Sequence, residues 1–302
     1  MKSIITVKNI KDYLTKNQIK YTYIGNDSII INTFCSLYQL KDNSITWARK
    51  VSNVNFETLN EYDNIIIVLG EEVEEQKLNG FIVKNPHRTY FKILSYFFEE
   101  QPVIKIHPTA VVETNKIGKN LSIGANSFLG ELVELGDNVR ISNNVSIEGN
   151  VKIGDNTIIE SGVVIGVSGF GHYKEDNSVS VRVPHLGGVI IGESVAIGAN
   201  CTVARGCLGN TVLEDYVKID NLCHIAHNVI IKTRTMITAC TEISGSTTIE
   251  EDVWVGPASA INNGIIVGKN SFLGLGTVAT KDVPAGKVVA GVPARVLRDN
   301  NE

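Results

Sequence analysis

The sequence predicts a mainly β fold in which the chain coils around its own axis as a parallel β-helix. The first observation is that an aliphatic residue returns at every sixth position over most of the chain. A period of six fits neither the turn of a helix nor the alternation of a strand that faces a single core. The second observation is that glycine follows many of these aliphatic anchors, and asparagine stands three places after several of them. Both residue types tolerate positive φ, so each hexad is predicted to be a short strand followed by a corner.

Three such hexads close one coil of eighteen residues, and each coil should stack on the next at roughly 4.8 Å, the spacing between strands. A second apolar residue, such as Val139 or Val145, stands two places before an anchor and should share its inward face. We therefore expect the anchors to fill the interior of the coils. The anchors are Val111, Ile117, Ile123, Leu129, Leu135, Ile141, Ile147, Ile153, Ile159 and Ile165, then Ile191, Ile197 and Val203, then every sixth residue from Leu213 to Leu273.

The hexads divide the chain into three predicted parts. Residues 1–102 lack the repeat and mix short β-rich runs with helical patterns, which predicts a separate small α/β domain. Residues 103–283 form the predicted β-helix, interrupted by a loop over residues 166–188 whose length favours a functional role. Residues 284–302 are predicted to be an extended tail, because Pro and Gly punctuate the sequence after Leu273.

Composition favours a cytoplasmic protein with room for two domains. The chain has 302 residues, of which 43% are apolar, and a formal net charge of −4. Lys and Arg are scattered, so nucleic acid is not expected as a partner. No apolar run reaches the roughly 18 residues of a spanning helix, so membrane insertion is not expected either. The cysteines lack CxxC spacing and are interpreted as reduced wall residues. They are Cys35, Cys201, Cys207, Cys223 and Cys240.

The segment IDNLCHIAHNV, residues 219–229, carries the candidate catalytic residues. Its register points the side chain of His224 outward and places His227 at a corner. Gly245 follows His227 after eighteen residues, and Asn263 follows after eighteen more, so the three should form one outward column. Such a column can host acyl transfer. A neutral imidazole can accept the proton of an attacking amine, while a glycine N–H can approach the developing oxyanion.

Polar residues around this column are candidates for binding the substrate. Glu242 should lie one coil above His224, where it either orients the imidazole or makes an ordinary surface contact. Asp220 and Asn221 occupy the preceding side and could hold substrate hydroxyls. The candidate substrate-binding residues of the long loop are Phe170 and His172.

Together with GFG at 169–171, VPHLGGVIIG at 183–192 and VARG at 203–206, this segment resembles the UDP-3-O-acylglucosamine N-acyltransferases of lipid A biosynthesis. The resemblance covers most of the chain and implies a left-handed β-helix, an exception to the usual right-handed crossover. It also implies that His227 is the catalytic base and that Gly245 supplies the oxyanion N–H. In the run NSITWARK it implies that Trp47 stacks on the nucleobase, with Lys50 nearby.

The sequence departs from that family around both substrates. Lys50 and Asn53 replace Asn and Tyr near the nucleobase, so the nucleotide need not be the same. His224 replaces a Gln, Ala204 replaces an Asp, and Gly264 replaces a second His. These changes leave the identity of the acceptor sugar open.

The segment GTVATKDVPAGKVVAGVPARVL instead resembles acetyltransferases that use coenzyme A. This resemblance implies that the segment lies beside the pantetheine arm. Asn263, Leu275 and Thr277 are then the expected contacts of the acyl donor, the last two where the lipid A enzyme measures its acyl chain. We expect acyl-coenzyme A ahead of acyl carrier protein, because the helical extension that docks the carrier is not seen after GVPARVL. No metal is expected.

The leading hypothesis is therefore an N-acyltransferase that modifies a nucleotide-linked amino sugar for cell-surface glycan or lipopolysaccharide synthesis. The alternative is the lipid A enzyme itself, with a long hydroxyacyl chain on acyl carrier protein. A carbonic anhydrase-like zinc enzyme is disfavoured, since no third His falls on the coils adjacent to His224 and His227. A purely structural solenoid would not explain the long loop or the separate domain. We expect a homotrimer, because a corner site gains its second wall from a neighbouring prism.

Overall fold

The computed structural model describes residues 4–70, 78–99 and 103–301. The chain divides into two compact units, Met1–Gln101 and Pro102–Glu302. The predicted domain limit at residue 102 lies outside the described residues.

The first unit has an α/β fold. Its elements are β1 (Ile5–Thr6), α1 (Val7–Lys16), β2 (Tyr21–Ile24), β3 (Ile30–Ile31), β4 (Thr33–Phe34), β5 (Ser44–Trp47), a 3-10 turn (Val51–Asn53), α2 (Phe56–Leu59), β6 (Ile66–Leu69), β7 (Gly80–Val83) and α3 (Pro86–Phe97). Five of the strands form a sheet in the order β2-β7-β6-β5-β4, in which only β2 runs antiparallel to its neighbour. Two helices, α1 and α3, contribute buried side chains to the same core as the sheet residues Ile66, Val68 and Phe81.

Side chains fix where these two helices begin. The Thr6 side chain accepts a hydrogen bond from the Asn9 N–H, and the Asn9 side chain accepts one from the Thr6 N–H in return. This reciprocal box satisfies two N–H groups that the first turn of α1 leaves free. Asn85 caps α3 by accepting from the Arg88 N–H, and Pro86 occupies the first helical position, where its missing N–H costs nothing.

The second unit is the parallel β-helix, with one sheet on each of its three sides. Neighbouring strands in these sheets run parallel, except that Arg295–Asp299 pairs antiparallel with Lys287–Ala290 at the end of one sheet. Its strands are β8 (Val111–Val112), β9 (Ser122–Ile123), β10 (Phe128–Leu129), β11 (Val133–Leu135), β12 (Arg140–Ile141), β13 (Ser146–Ile147), β14 (Val151–Ile153), β15 (Ile158–Ile159), β16 (Val164–Ser168), β17 (His172–Lys174), β18 (Ser180–Arg182), β19 (Val189–Ile191), β20 (Ala196–Ile197), β21 (Thr202–Arg205), β22 (Thr211–Leu213), β23 (Lys218–Ile219), β24 (His224–Ile225), β25 (Ile230–Ile231), β26 (Met236–Ile237), β27 (Glu242–Ile243), β28 (Thr248–Ile249), β29 (Trp254–Val255), β30 (Ala260–Ile261), β31 (Ile266–Val267), β32 (Phe272–Leu273), β33 (Val278–Ala279), β34 (Lys287–Ala290) and β35 (Arg295–Asp299).

The sides follow the order β8-β10-β13-β16-β21-β24-β27-β30-β33, the order β11-β14-β19-β22-β25-β28-β31, and the order β9-β12-β15-β20-β23-β26-β29-β32-β34-β35. Each anchor pairs with the anchor one coil later, as Ile225 pairs with Ile243 and Ile261 with Ala279. From Ile123 to Leu273 the anchors are buried in one continuous core, as the hexad period predicts.

The corners need a left-handed backbone whichever residue occupies them. Asn120 and Asn138 have φ near +57°, which confirms the predicted role of asparagine. Leu222 and Arg234 adopt the same conformation at equivalent positions, with φ of 61° and 60°. This conformation costs a residue with a Cβ roughly 1–2 kcal/mol, so the free energy gained by stacking the coils outweighs the local backbone preference at these corners.

The structure corrects the prediction at both ends of the helix. Val112, rather than Val111, pairs with Leu129, so Val111 is not an anchor and is exposed. Ile117 has the predicted register but is also exposed, because it lies in the first coil and no complete coil covers it. At the other end β34 pairs in parallel with β32, so Lys287–Ala290, part of the predicted tail, belongs to a last coil.

The long loop leaves the β-helix through a bulge in β16 and contains the antiparallel hairpin β17–β18. It rejoins the coils at β19, where Ile191 pairs with Ile153 and the register of the core is restored. Among the described residues, no helix is long and apolar enough to cross a membrane.

Candidate active site

The predicted column of three residues exists at the corner between β24 and β25. The Ser246 N–H donates to the His227 carbonyl at 2.9 Å, and the Gly264 N–H donates to the Gly245 carbonyl at 3.0 Å. These bonds stack His227, Gly245 and the exposed Asn263 on successive coils. The imidazole of His227 is half-buried, whereas His224 is exposed as its register predicts.

Gly245 lets the His227 ring lie directly against the backbone of the next coil. A Cβ on residue 245 would stand 2.7 Å from Cε1 and 2.8 Å from Nε2 of that ring. Real Cβ atoms essentially never approach other heavy atoms so closely. Any other residue type at this position would displace the imidazole.

The N–H of Gly245 lacks the side-chain acceptor that the N–H has at some other corners. The Ala125 N–H donates to the Asn143 side chain at 2.7 Å, and the Ala199 N–H donates to the Asn221 side chain at 2.6 Å. The Gly245 N–H has no acceptor within residues 103–301 that the structure describes. A donor without a partner beside an imidazole is suited to stabilise an oxyanion.

Asn228 determines which ring nitrogen of His227 can act as a base. The Cys207 N–H donates to Oδ1 of Asn228 at 3.0 Å, so this oxygen is an acceptor. Nδ1 of His227 lies 3.2 Å from the same oxygen and must therefore carry its proton. In the neutral ring Nε2, the nitrogen nearest to Gly245, then holds the lone pair.

The structure adds a residue that the sequence did not indicate. The ring of His185, from the long loop, lies edge-to-face with that of His227, with centroids 5.1 Å apart and planes at 67°. The expectation from the sequence concerned only the coils adjacent to His224 and His227, whereas His185 comes from the loop. Periodicity could not place His185, since the loop interrupts the hexads; its only signal was the VPHLGG motif.

Gly169 covers both imidazoles. A Cβ on Gly169 would stand 2.8 Å from Nε2 of His185 and 2.8 Å from Cδ2 of His227. Glycines therefore flank the His227 ring on two sides, Gly169 from the loop and Gly245 from the next coil.

The polar residues predicted around the column mostly bind their own neighbours. Glu242 pairs in register with His224, as predicted, but its carboxylate accepts hydrogen bonds from Ser244 at 3.0 and 3.1 Å. Asp220 accepts from the backbone and side chain of Asn221, and Asn221 caps the Ala199 N–H. Glu242 does not orient His224 in this structure, and Asn221 has a structural role at its corner.

The remaining candidates, from the long loop and from the predicted donor site, divide into exposed and buried residues. Phe170 and His172 are exposed and in contact, with ring centroids 4.7 Å apart, and Leu275 is also exposed. Thr277 is fully buried, and its hydroxyl donates to the Gly274 carbonyl at 2.6 Å. The proposal that Thr277 contacts the acyl donor is therefore not supported, because its side chain faces the interior of the coil.

Two cysteines lie one above the other inside the coils next to this site. Cys201 and Cys223 are buried and free. The interaction with the Cys201 side chain, followed by burial, raises the pKa of Cys223 above its usual value, whereas the same interaction lowers the pKa of Cys201. The Cys223 thiol, held in its neutral form, is a wall residue rather than a nucleophile.

The first unit contains a cavity of about 630 Å³ beside Trp47. Its lining residues are Trp47, Arg49, Gly70, Lys84, Asn85, Pro86 and His87. Trp47 is half-buried, with the ring of His87 at 4.8 Å and 76°. Lys50, the predicted neighbour of the nucleobase, is not among the lining residues, whereas the cations Arg49 and Lys84 are.

Tyr90 supports the wall of this cavity from behind. Its ring lies 6.4 Å from that of Trp47, and its hydroxyl donates to the Cys35 carbonyl at 3.1 Å. Burial, and to a smaller extent the neighbouring Cys35, raises the pKa of Tyr90 to about 12. The hydroxyl therefore remains a donor at neutral pH.

The described part of the chain has no group of three or more His, Cys, Asp or Glu side chains placed to hold a metal ion.

The fold and the corner site define a hexapeptide-repeat protein. A model of the family described as bacterial transferase hexapeptide (six repeats) matches residues 132–166, and the hexapeptide repeat of succinyl-transferase matches residues 246–281. The chain belongs to the family of UDP-3-O-acylglucosamine N-acyltransferases: it is 34% identical to the member from Coxiella burnetii over 255 residues, which are 77% of this chain and 75% of that protein.

The member from Caulobacter sp. (strain K31) is 39% identical over 140 residues, 46% of this chain but only 41% of that protein. The match thus spans less than half of that relative. Two solved UDP-N-acetylglucosamine acyltransferases share the fold. The protein from Bacteroides fragilis has a TM-score of 0.59 at 22% identity, over 65% of this chain and 75% of that one. The protein from Francisella novicida has a TM-score of 0.58 at 23% identity, over 65% and 71%. The fold is the left-handed parallel β-helix that the sequence predicts.

Proposed function

We propose that this chain is an N-acyltransferase that moves an acyl group from a thioester to the amino group of a UDP-linked amino sugar. The names of the relatives favour UDP-3-O-acylglucosamine as the acceptor, and so favour the lipid A alternative over a general sugar acyltransferase. The observation that carries the proposal is the packing of the His227 ring against Gly245, whose N–H has no acceptor among the described residues.

The corner can perform each step of this reaction. The sugar amine attacks the carbonyl carbon of the thioester while Nε2 of His227 takes the proton from the amine. The Gly245 N–H stabilises the oxyanion that forms on the carbonyl oxygen. When the carbon–sulfur bond breaks, the leaving thiolate takes the proton back from the imidazolium, which returns His227 to its neutral form.

The cavity in the first unit is suited to the nucleotide. The indole of Trp47 offers a flat apolar surface for a nucleobase. Arg49 and Lys84 line the same cavity and supply positive charge for a diphosphate. Lys50, His224, Asp220 and Glu242 remain secondary candidates for contact with the acceptor, and Phe170 and His172 for contact from the loop.

The donor is a thioester of coenzyme A or of acyl carrier protein. Both present the same phosphopantetheine thiol, so the chemistry at His227 is identical for the two. Asn263 and the exposed Leu275 are the residues proposed to contact the donor.

We propose further that the protein acts as a homotrimer in the cytoplasm. A half-buried corner residue such as His227 leaves one side of the site open, and a second copy of the prism can supply the other wall. Sedimentation should give a trimer; a fully active monomer would contradict this assembly.

A donor and acceptor panel tests the proposed function. The protein is incubated with UDP-3-O-acylglucosamine, UDP-glucosamine or dTDP-linked amino sugars, each with acetyl-coenzyme A, long-chain acyl-coenzyme A or long-chain acyl carrier protein. Mass spectrometry should detect an amide product, and His227→Ala is the control. If no pair gives an N-acylated sugar, the proposed function is wrong.

A further inference from the structure

His185 is a buried polar side chain beside His227 that the proposed reaction does not use. It is only 6% exposed, and its Nε2 atom has no hydrogen-bond partner among the described residues. A buried polar atom without a partner destabilises the folded state, so its presence needs a reason.

The tautomer of His185 follows from its surroundings. Nδ1 lies 3.0 Å from the Val183 carbonyl oxygen, which can only accept a hydrogen bond. Nδ1 therefore carries the proton, and the neutral ring holds its lone pair on Nε2. An N–H at Nε2 would have no acceptor among the described residues, so the geometry favours the tautomer with its proton on Nδ1.

This lone pair lies near the ring of His227. Nε2 of His185 and Cδ2 of His227 each lie 2.8 Å from the point that a Cβ on Gly169 would occupy. With the ring centroids 5.1 Å apart, the negative end of the His185 dipole lies beside the ring of His227. Gly169 and Nε2 of His185 are buried, so the interaction is stronger than it would be in solvent.

We propose that His185 is a positioning residue that stabilises the imidazolium form of His227 and holds its ring against Gly245 during acyl transfer. This inference rests on the proposed function. The proton moves from the amine to Nε2 of His227 and then to the leaving thiolate. His185 exchanges no proton and contributes only a fixed dipole at the place where positive charge develops.

Two variants of His185 separate this role from packing. His185→Leu removes both ring nitrogens but keeps an apolar side chain of similar bulk. It should lower kcat roughly tenfold or more and leave the KM values for both substrates unchanged, because Gly169 covers His185. His185→Gln places an amide oxygen near the position of Nε2 and should restore most of kcat. A raised KM with unchanged kcat, or equal losses in Leu and Gln variants of normal thermal stability, would overturn the proposal.

A double-mutant cycle tests whether His185 acts through His227. In a His227→Ala background, the further change His185→Leu should have no effect on residual turnover, since the imidazolium that it stabilises is gone. If His185→Leu costs the same factor with and without His227, His185 does not act through it.

Side-chain NMR of the wild-type protein tests the role of His185 separately from the proposed function. Proton–nitrogen spectra of the histidine rings, assigned with the single variants, should show His185 neutral with its proton on Nδ1. Finding the proton on Nε2, or a cationic ring, contradicts the role of His185 even if acyl transfer occurs. Absence of acyl transfer with every donor instead contradicts the proposed function, whatever the tautomer.

Discussion

The imidazole of His227 lies against Gly245 so closely that a Cβ on residue 245 would stand 2.7 Å from its Cε1 atom. We therefore predict that Gly245→Ala displaces the ring and lowers kcat roughly 100-fold, the scale of a misplacement of about 1 Å. The control is Gly130→Ala, where the nearest atom would be 3.6 Å from the new Cβ. Steady-state kinetics and thermal unfolding of both variants provide the measurement. Full activity of Gly245→Ala would show that this contact does not set the geometry of the site.

His227→Ala should lower turnover by roughly 10²–10⁴-fold, the usual contribution of a positioned general base. Folding should be little affected, because the side chain is only half-buried. His224→Ala is the comparison and should cost much less, since His224 is exposed and its neighbour Glu242 binds Ser244. If the same assay shows His224 to be essential and His227 dispensable, the base belongs to the pair of His224 and Glu242.

Asn228→Gly removes the acceptor that fixes the proton on Nδ1 of His227 while permitting the backbone φ of 60°. We expect kcat to fall roughly 10- to 100-fold, the usual cost of losing a partner that orients a histidine. Asn270→Gly makes the same change at a corner with φ of 55° and should retain full activity. Equal kinetics of the two variants would mean that Asn228 does not select the tautomer.

Trp47→Ala should raise KM for the nucleotide sugar about fivefold, as expected for one aromatic contact of about 1 kcal/mol, with kcat nearly unchanged. Trp254→Ala is the matched control, since Trp254 stacks on Phe272 on an outer face of the β-helix, in the second unit. The measurement is a titration of the nucleotide sugar at saturating donor. A loss of thermal stability without a change in KM would assign Trp47 to the core of the first unit.

Tyr90 should make stability fall at alkaline pH. Its pKa is raised from 10.0 to about 12 in the folded protein, first by burial. Because the pKa of Tyr90 is higher in the folded protein than in the unfolded chain, its neutral form contributes fully to the free energy of unfolding below pH 10. This contribution is lost as pH rises from 10 to about 12. Urea midpoints across this range should therefore fall less steeply in Tyr90→Phe than in the wild type. Tyr38→Phe, at a 97% exposed position, should match the wild type; identical slopes for all three proteins would contradict the assignment.

The sequence alone determined the β-helix and the column at its corner. A strict period of six places each hexad on one side of the coil, so Ile225 and Ile243 must face inward and stack. The same spacing places Gly245 above His227 before any contact is known. These features follow because successive coils repeat the same geometry, and position in sequence converts directly into position in space.

Only the tertiary structure decided the features that break the period. His185 reaches His227 from a loop outside the repeat. Arg49 and Lys84, which line the Trp47 cavity, come from separate segments of a domain without a repeat. At the ends of the coils, pairing with a neighbouring strand decides that Val111 is not an anchor and that Lys287–Ala290 belongs to a last coil. The tautomer of His227 likewise depends on a bond from Cys207 to Asn228, across an insertion between two coils. Such contacts are set by packing between segments that share no common period, so sequence spacing carries no information about them.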